Sequence, residues 1–383
     1  MSVKIDSANS LSGKSFLNYL LRLMKHIDFT LIFLVIGLCI LGLLVIYSTT
    51  HQEIINVGVA LITKKHLLSI FTGLLFCILV TIIDYHAIAK IAVPLYFLSL
   101  IILVYVIFFG KDIAGSRRWI QVAGFEFQPA EFAKITLIIL LADFLSREMD
   151  KFSNLIYFTL PFLFTGILMF LIYKQPDLGT SMVFLAITLF MIFIAGISWK
   201  YIIIVFFLLV SFFPIFWSFL KGYQRSRLLL FLNPEMDPLG AGYNIIQSKV
   251  AIGSGGLFGQ GLFSGIQSQL KFLPAQHTDF VFAVIGEELG FMGALLLISL
   301  FILILWKGIR IAQEASDSLG TFIATGVTSF MFIHILINIG MSMGLMPATG
   351  LPLPFVSYGG TFMITNFIGI GLLLNVHLRS IFA

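Results

Sequence analysis

Long apolar segments alternate with short polar ones along almost the whole chain. A bilayer core about 30 Å thick needs roughly 20 apolar residues per helix, and ten segments come near that length. They cover residues 28–48, 67–83, 88–109, 131–146, 155–173, 178–197, 201–220, 279–306, 319–342 and 358–377. The pattern predicts an all-α fold, a polytopic membrane helix bundle of about ten transmembrane helices. The weakest segment is 131–146, which carries Glu131, Lys134 and Asp143.

Two interruptions of this pattern are too apolar for solvated loops and too rich in glycine and proline for regular helices. The first, 221–277, predicts a large structured outer loop that packs on the bundle, because irregular backbone near a membrane must be buried or line a wet cavity. Its glycine run, Gly253–Gly261, lacks the spacing of a phosphate-binding loop and indicates turns or close packing. The second, 343–360, is interpreted either as a rigid turn or as a cavity wall.

Composition agrees with a lipid-embedded chain. Of 383 residues, 59% are hydrophobic and only 11% are charged, whereas soluble domains have about 25% charged residues. These values exclude a cytosolic enzyme, a disordered scaffold and a nucleic-acid-binding domain. The two cysteines, Cys39 and Cys77, lie in apolar segments and predict neither a disulfide framework nor a metal site.

The basic residues decide the predicted orientation. Eleven lie on each side of the ten spans, but long translocated segments contribute little to orientation. Discounting the five in 221–277 leaves eleven against six and places both termini in the cytoplasm. The predicted organisation is a cytoplasmic tail over 1–27, one transmembrane domain over 28–377, and a cytoplasmic C-terminus over 378–383. The first apolar segment indicates a retained anchor.

Charged residues inside or beside spans are costly and therefore suggest function. Glu131 and Lys134 are three residues apart, so they share a helix face and can pair. Arg117 and Arg118 lie just upstream, and such cations suit a phosphate or pyrophosphate. A self-neutralising pair is the competing interpretation. Asp177 suits a helix N-cap, or alternatively positions Lys134 or a cation.

Asp279 is the best candidate for acid–base chemistry. It lies where the long outer loop meets the eighth span, and a carboxylate at the mouth of an apolar cavity can have a raised pKa and act as a general base. Thr278 or Asp279 could instead simply cap that helix. Glu287 and Glu288, deeper in the span, are interpreted as structural or modulating, and His277 lacks the spacing of a metal ligand.

Several unusual strings occur in one order along nearly the whole chain. They are RRWIQVAGFEFQPAEFAKI (117–135), QPDLGTS (175–181), GYNIIQSKVAIGSGGLFGQG (242–261), FLPAQHTDFVFAVIGEELG (272–290) and GLMPATGLPLPFVSYGG (344–360). With them the chain resembles the SEDS family (shape, elongation, division and sporulation) of bacterial membrane proteins. It is more similar to the elongation branch than to the division branch. Ala275 departs from the family, which often has Glu at this position.

The resemblance implies a peptidoglycan glycosyltransferase that polymerises lipid II in the bacterial cytoplasmic membrane, with its active site on the outer face. It also implies a class B penicillin-binding protein as partner and a divalent cation such as Mg²⁺ or Mn²⁺. We assign Asp279 as general base and Arg117, Arg118 and Lys134 as pyrophosphate-binding residues. The remaining candidate substrate-binding residues are Glu131, Asp177, Gln276 and His277. A lipid II flippase and a non-catalytic scaffold of the elongation machinery are the alternatives.

Overall fold

A computed structural model describes residues 26–57, 61–113, 116–122, 125–149, 155–196, 222–238, 240 and 242–382, together with the six positions 203, 207, 211, 214, 217 and 218. The helices are α1 (Phe29–Val57), α2 (Leu61–Ile82), α3 (Tyr85–Lys90), α4 (Ala92–Phe109), α5 (Pro129–Glu148), α6 (Leu155–Lys174), α7 (Leu178–Ile194), α8 (Gly222–Leu232), α9 (Tyr243–Ser254), α10 (Ile266–Gln269), α11 (Val281–Glu314), α12 (Ser318–Ser342) and α13 (Gly360–Phe382). A 3₁₀ turn covers Pro234–Met236. The strands are β1 (Lys111–Ile113), β2 (Ser116–Val122) and β3 (Phe125–Phe127).

The helical bundle is confirmed. Within the described part of the chain, seven helices are long and apolar enough to cross a membrane, namely α1, α2, α4, α6, α11, α12 and α13. They correspond to seven of the ten predicted spans, and the protein is a multi-pass membrane protein. The sixth predicted span forms α7, which has 17 residues. The seventh, 201–220, lies mostly outside the described residues.

The fourth predicted span forms α5, whose charge reflects its place in the bundle. It carries five charged residues among 20, yet most of its side chains are buried. It contacts α4, α7, α12 and α13, so protein rather than lipid surrounds it. An ion pair inside α5 can therefore be stabilised by neighbouring side chains, which a lipid-facing helix could not supply.

A small antiparallel sheet between α4 and α5 was not predicted from the sequence. Its strand order is β1-β2-β3, with Arg117 opposite Asp112 and Gln121 opposite Glu126. Two Ala-Gly pairs, at 114–115 and 123–124, separate the three strands in the printed sequence. Strands separated by two turn-forming residues are typical of hairpins, so the signal was present but short beside the apolar spans.

The long loop packs on α11 through its glycines. Helix α11 is kinked at Gly290, where φ is 65°. The amide groups of Phe291 and Met292 donate to the carbonyls of Gly256 and Leu257, and the carbonyls of Glu287 and Glu288 accept from Gln260 and Gly261. The loop thus replaces two helical hydrogen bonds in each direction. This confirms the interpretation of Gly255, Gly256, Gly259 and Gly261 as turn or close-packing positions, whereas Gly253 lies within helix α9.

Loop 343–360 lies within the protein and is more than a surface turn. Leu351, Leu353, Phe355 and Val356 are all at most 2% exposed. Gly350 has a φ of 75°, and a Cβ added there would lie 3.3 Å from Oδ2 of Asp279. The loop therefore forms a wall beside the Asp279 carboxylate.

Candidate active site

The Glu131–Lys134 pair predicted from their spacing is present and fully enclosed. Nζ of Lys134 lies 2.8 Å from both carboxylate oxygens of Glu131 and 2.9 Å from Nε2 of His334. The side chain of Lys134 has no exposed surface. The rings of Phe330 and Phe362 have their centroids 5.2 and 5.6 Å from the ammonium and supply cation–π contacts.

The protonation of His334 follows from its partners. Its Nδ1 lies 3.2 Å from the carbonyl oxygen of Pro352, which can only accept a hydrogen bond. Nδ1 therefore carries the proton, and the lone pair of Nε2 accepts from the Lys134 ammonium. His334 is a neutral ligand of a buried cation, and the ammonium is held between a carboxylate and an imidazole.

The two arginines point in different directions, as neighbours in a strand must. Arg118 donates from Nε to the carbonyl of Gln175 (3.0 Å), hydrogen-bonds the carbonyl of Pro176, and pairs with Asp177 at 3.2 Å. Arg117 is exposed, with Nε 3.9 Å from Asp112. The structure therefore brings Arg118, and not Arg117, to the start of α7.

Asp177 is the N-cap of α7, as its sequence context suggested. Its Oδ1 accepts from the amide of Thr180 at 3.1 Å, and its other oxygen faces Arg118. Among the described residues its ion pair is with Arg118 rather than with Lys134. The capping role is confirmed, and the predicted positioning of Lys134 by direct contact is not.

The Asp279 side chain does not cap α11. Phe280 occupies the N-cap position without a side-chain hydrogen bond, and the Thr278 hydroxyl donates to the carbonyl of Ala275 at 3.2 Å. The capping interpretation of Thr278 or Asp279 is therefore wrong. The Asp279 carboxylate is left available for another role.

Burial controls the electrostatics of Asp279. The pKa of this carboxyl lies at about 6, above its ordinary value of 3.8, chiefly because burial raises it, and the charge of Asp177 acts in the same direction. A hydrogen bond with Thr278 and the charges of Arg227 and Arg118 act in the opposite direction. The net effect is a carboxylate that is ionised at neutral pH but basic enough to accept a proton.

The backbone around Asp279 is fixed by a tight turn. Ala275 has a φ of 50°, and its carbonyl accepts from the amides of Thr278 and Asp279 at 3.1 and 3.0 Å. Gln276 is buried, and no described residue hydrogen-bonds its Oε1. The ring of His277 stands edge-on to Tyr358, with centroids 6.0 Å apart. Gln276 and His277 thus belong to the segment that carries Asp279.

Glu287 and Glu288 have structural partners. The Glu287 carboxylate accepts from the amides of Gln267 (2.6 Å) and Ser268 (3.1 Å), in the first turn of α10. Glu288 accepts from the Ser48 hydroxyl at 2.6 Å. The Glu287 contacts attach the long loop to α11, and the Glu288 contact joins α11 to α1, in agreement with the structural interpretation.

Sequence reasoning missed His334 and Asn338. Both are buried on α12, four residues apart, so they lie on one face of the helix. The amide of Asn338 donates to the carbonyls of Asp279 (2.9 Å) and Leu351 (2.7 Å). Polar residues at this spacing in an apolar span were the available signal.

As for metal ligands, the described residues contain no group of three His, Cys, Asp or Glu side chains placed to hold an ion.

Comparison with known proteins gives consistent matches over nearly the full length. The chain is 40% identical over 362 residues to the peptidoglycan glycosyltransferase MrdB of Escherichia coli K12, covering 92% of this chain and 94% of the relative. It is 32% identical over 436 residues to the peptidoglycan glycosyltransferase RodA of Treponema pallidum, covering 94% of this chain and 100% of the relative.

Solved structures match in fold as well. One chain belongs to a structure described as structural coordination of polymerization and crosslinking by a peptidoglycan synthase complex, with a TM-score of 0.80, 31% identity, and coverage of 92% of this chain and 98% of that one. The rod shape determining protein RodA of Thermus thermophilus matches with a TM-score of 0.68 and 28% identity, and the match covers 92% of this chain and 96% of that one. The family model of FtsW, RodA and SpoVE, described as cell cycle protein, matches residues 29–380. The chain therefore belongs to the FtsW/RodA/SpoVE family of cell cycle proteins, the SEDS family.

Proposed function

We propose that this protein is a peptidoglycan glycosyltransferase that polymerises lipid II into glycan strands during cell-wall elongation. The observation that carries the proposal is the Asp279 carboxylate, which is free of any capping role and has a pKa raised to about 6 by burial. The names of the relatives support the reaction class. Their RodA members support the elongation branch.

Asp279 acts as general base. The nucleophile is the 4-hydroxyl of the terminal sugar on one lipid-linked chain, and the donor is a sugar on undecaprenyl pyrophosphate. As the new glycosidic C–O bond forms, the hydroxyl proton passes to the Asp279 carboxylate and the donor's C–O bond to pyrophosphate breaks. A positioned base of this kind contributes about 10²–10⁴-fold to the rate.

The basic residues divide the work of stabilising the pyrophosphate. Arg117 is exposed and binds phosphate oxygens at the rim. Arg118 pairs with Asp177 at the start of α7, and its positive charge lowers the pKa of Asp279. From this position it stabilises the pyrophosphate electrostatically. Lys134 is enclosed by Glu131, His334 and two phenylalanine rings, so it acts through its charge and through the geometry of α5 rather than by direct contact. Gln276 and His277 bind the sugar from the Asp279 segment.

A divalent cation remains a prediction from the family resemblance. The described residues do not fit a preformed metal centre, because Asp177 is used by Arg118 and Glu131 by Lys134. A Mg²⁺ or Mn²⁺ ion would need the substrate's phosphates as ligands.

The location and the partner belong to the same proposal. We place the protein in the bacterial cytoplasmic membrane, with both termini cytoplasmic and Asp279 on the outer face. The partner is a class B penicillin-binding protein that cross-links the strands. The fold shared with a chain from a complex of polymerization and crosslinking supports this assignment.

The test is polymerisation of purified lipid II by the purified protein in detergent. The wild-type protein is expected to produce long glycan strands, and Asp279→Asn to abolish them while the melting temperature stays unchanged. Asp143→Asn is the matched control, because Asp143 pairs with Arg147 near the end of α5 distant from Glu131. A flippase makes no polymer in detergent, so an inactive wild-type protein would contradict the proposal. A non-catalytic scaffold predicts that Asp279→Asn has no effect, so an unchanged result for that variant would contradict it as well.

A further inference from the structure

One face of α12 contacts both parts of the proposed chemistry. His334 and Asn338 have no exposed surface and lie one turn apart. His334 accepts a hydrogen bond from Lys134, and Asn338 donates one to the carbonyl of Asp279. The two side chains thus hold the buried cation and the base from a single rigid helix.

The same two residues also hold the loop that lies against the base. Nδ1 of His334 donates to the carbonyl of Pro352, and the amide of Asn338 to that of Leu351. Gly350, directly before them, approaches Oδ2 of Asp279 so closely that an added Cβ would lie 3.3 Å away. Three consecutive loop residues therefore meet the carboxylate, the asparagine and the histidine in turn.

The carbonyls of three consecutive residues of the Asp279 segment, 277–279, each accept a hydrogen bond from another part of the chain. The amide of Tyr358 donates to His277 (2.8 Å), the hydroxyl of Ser357 to Thr278 (2.6 Å), and the amide of Asn338 to Asp279 (2.9 Å). The first two donors belong to loop 343–360, which α12 itself fixes. Asn338 joins this segment directly to the membrane helix α12.

We propose that His334 and Asn338 are positioning residues that set the location of the Asp279 carboxylate relative to the Lys134 cation. The inference rests on the proposed function and adds to it how the base and the cation are held in register. Neither residue touches substrate. Each acts through Lys134, Asp279 or the loop carbonyls, so each substitution is expected to lower kcat more than it raises KM.

Two substitutions of His334 distinguish its hydrogen bond to Lys134 from its hydrogen bond to the loop. In His334→Gln the side-chain end can take the place of Nε2 and accept from Lys134, whereas His334→Asn retains only a donor in the place of Nδ1. Displacements of about 1 Å can cost about 100-fold in rate. In the detergent assay we expect His334→Asn to lose about 10- to 100-fold in kcat, and His334→Gln to recover most of that loss.

Substitution of Asn338 is expected to change the pH dependence of the polymerisation rate. Asn338→Leu removes both donated hydrogen bonds with little change in volume, and the released segment exposes Asp279, which is half-buried in the wild-type protein, more fully to water. Its pKa then falls toward the ordinary value, so the acidic limb of the pH–rate profile moves to lower pH while the plateau falls. A general loss of folded protein lowers the plateau without moving the limb.

Thr328→Val is the matched control, since Thr328 is also polar and buried on α12 but its hydroxyl donates within the same helix, to the carbonyl of Ala324. It is expected to keep wild-type kcat. Equal activity of all four variants overturns the proposal, as do equal losses in both His334 variants with an unmoved acidic limb in Asn338→Leu. If His334→Asn does not fold, the Asn338→Leu profile decides alone. An inactive wild-type protein would instead overturn the proposed function.

Discussion

Arg118 pairs with Asp177 across 3.2 Å and thereby joins the small sheet to the N-terminus of α7. The same guanidinium hydrogen-bonds the carbonyls of Gln175 and Pro176. Its neighbour Arg117 is exposed beside Asp112. Two adjacent arginines of the same string thus have different environments, and this difference can be tested.

Arg118→Ala is expected to destabilise the protein more than Arg117→Ala. It removes a partly buried ion pair and two backbone contacts, whereas an exposed pair contributes only about 0–1 kcal/mol. Melting temperatures of both variants in detergent measure the difference. Arg117→Ala should instead raise KM for lipid II with a near-wild-type melting temperature, and equal melting temperatures for the two would contradict the assignment.

The polymerisation rate is expected to fall as the pH drops through about 6. Burial raises the pKa of Asp279 to about 6, and a general base works only when it is deprotonated. The rate should therefore be nearly constant from pH 7 upward on this limb and decrease about tenfold per unit well below pH 6. A pH–rate profile of kcat/KM in detergent checks this, with melting temperatures at each pH as the control. A limb near pH 4 would show that the pKa of the base is not raised by burial.

The buried Glu131–Lys134 pair is expected to show strong coupling. Glu131→Gln leaves the Lys134 ammonium without its counter-charge, and breaking a buried pair typically costs about 3–5 kcal/mol. Glu131→Gln with Lys134→Met removes both charges and should be less destabilised than the sum of the single changes. Stability measurements on the four members of this cycle give the coupling energy. Additive effects would mean that the two charges do not depend on each other.

Two glycines of one run are expected to respond to alanine in opposite ways. Gly259 has a φ of 82°, and a Cβ there would collide with the carbonyl of Glu288, so Gly259→Ala should destabilise by about 2 kcal/mol or more. Gly253 lies in helix α9 with no atom within 4 Å of an added Cβ. Gly253→Ala should therefore stabilise by about 0.5–1 kcal/mol. Thermal melts of both variants test the packing of the loop on α11, and a harmless Gly259→Ala would argue against it.

The sequence by itself determined the features that depend on composition or on local spacing. Apolar length predicted the helical bundle, because a bilayer demands about 20 apolar residues per span. The three-residue spacing of Glu131 and Lys134 predicted their pair, and the context of Asp177 predicted its cap. Each of these interactions forms within one helix or at its end, so neighbouring residues alone specify it.

Only the tertiary structure decided which distant groups meet. His334 is 200 residues from Lys134 and Asn338 is 59 from Asp279, and no periodicity in the sequence encodes contacts between separate helices. Strand pairing determined that Arg118 rather than Arg117 reaches Asp177. The fold of the loop, rather than the sequence context, decided that the Asp279 carboxylate does not cap helix α11. Burial by distant segments then raised its pKa, because desolvation depends on everything packed around a group and not on its neighbours in the chain.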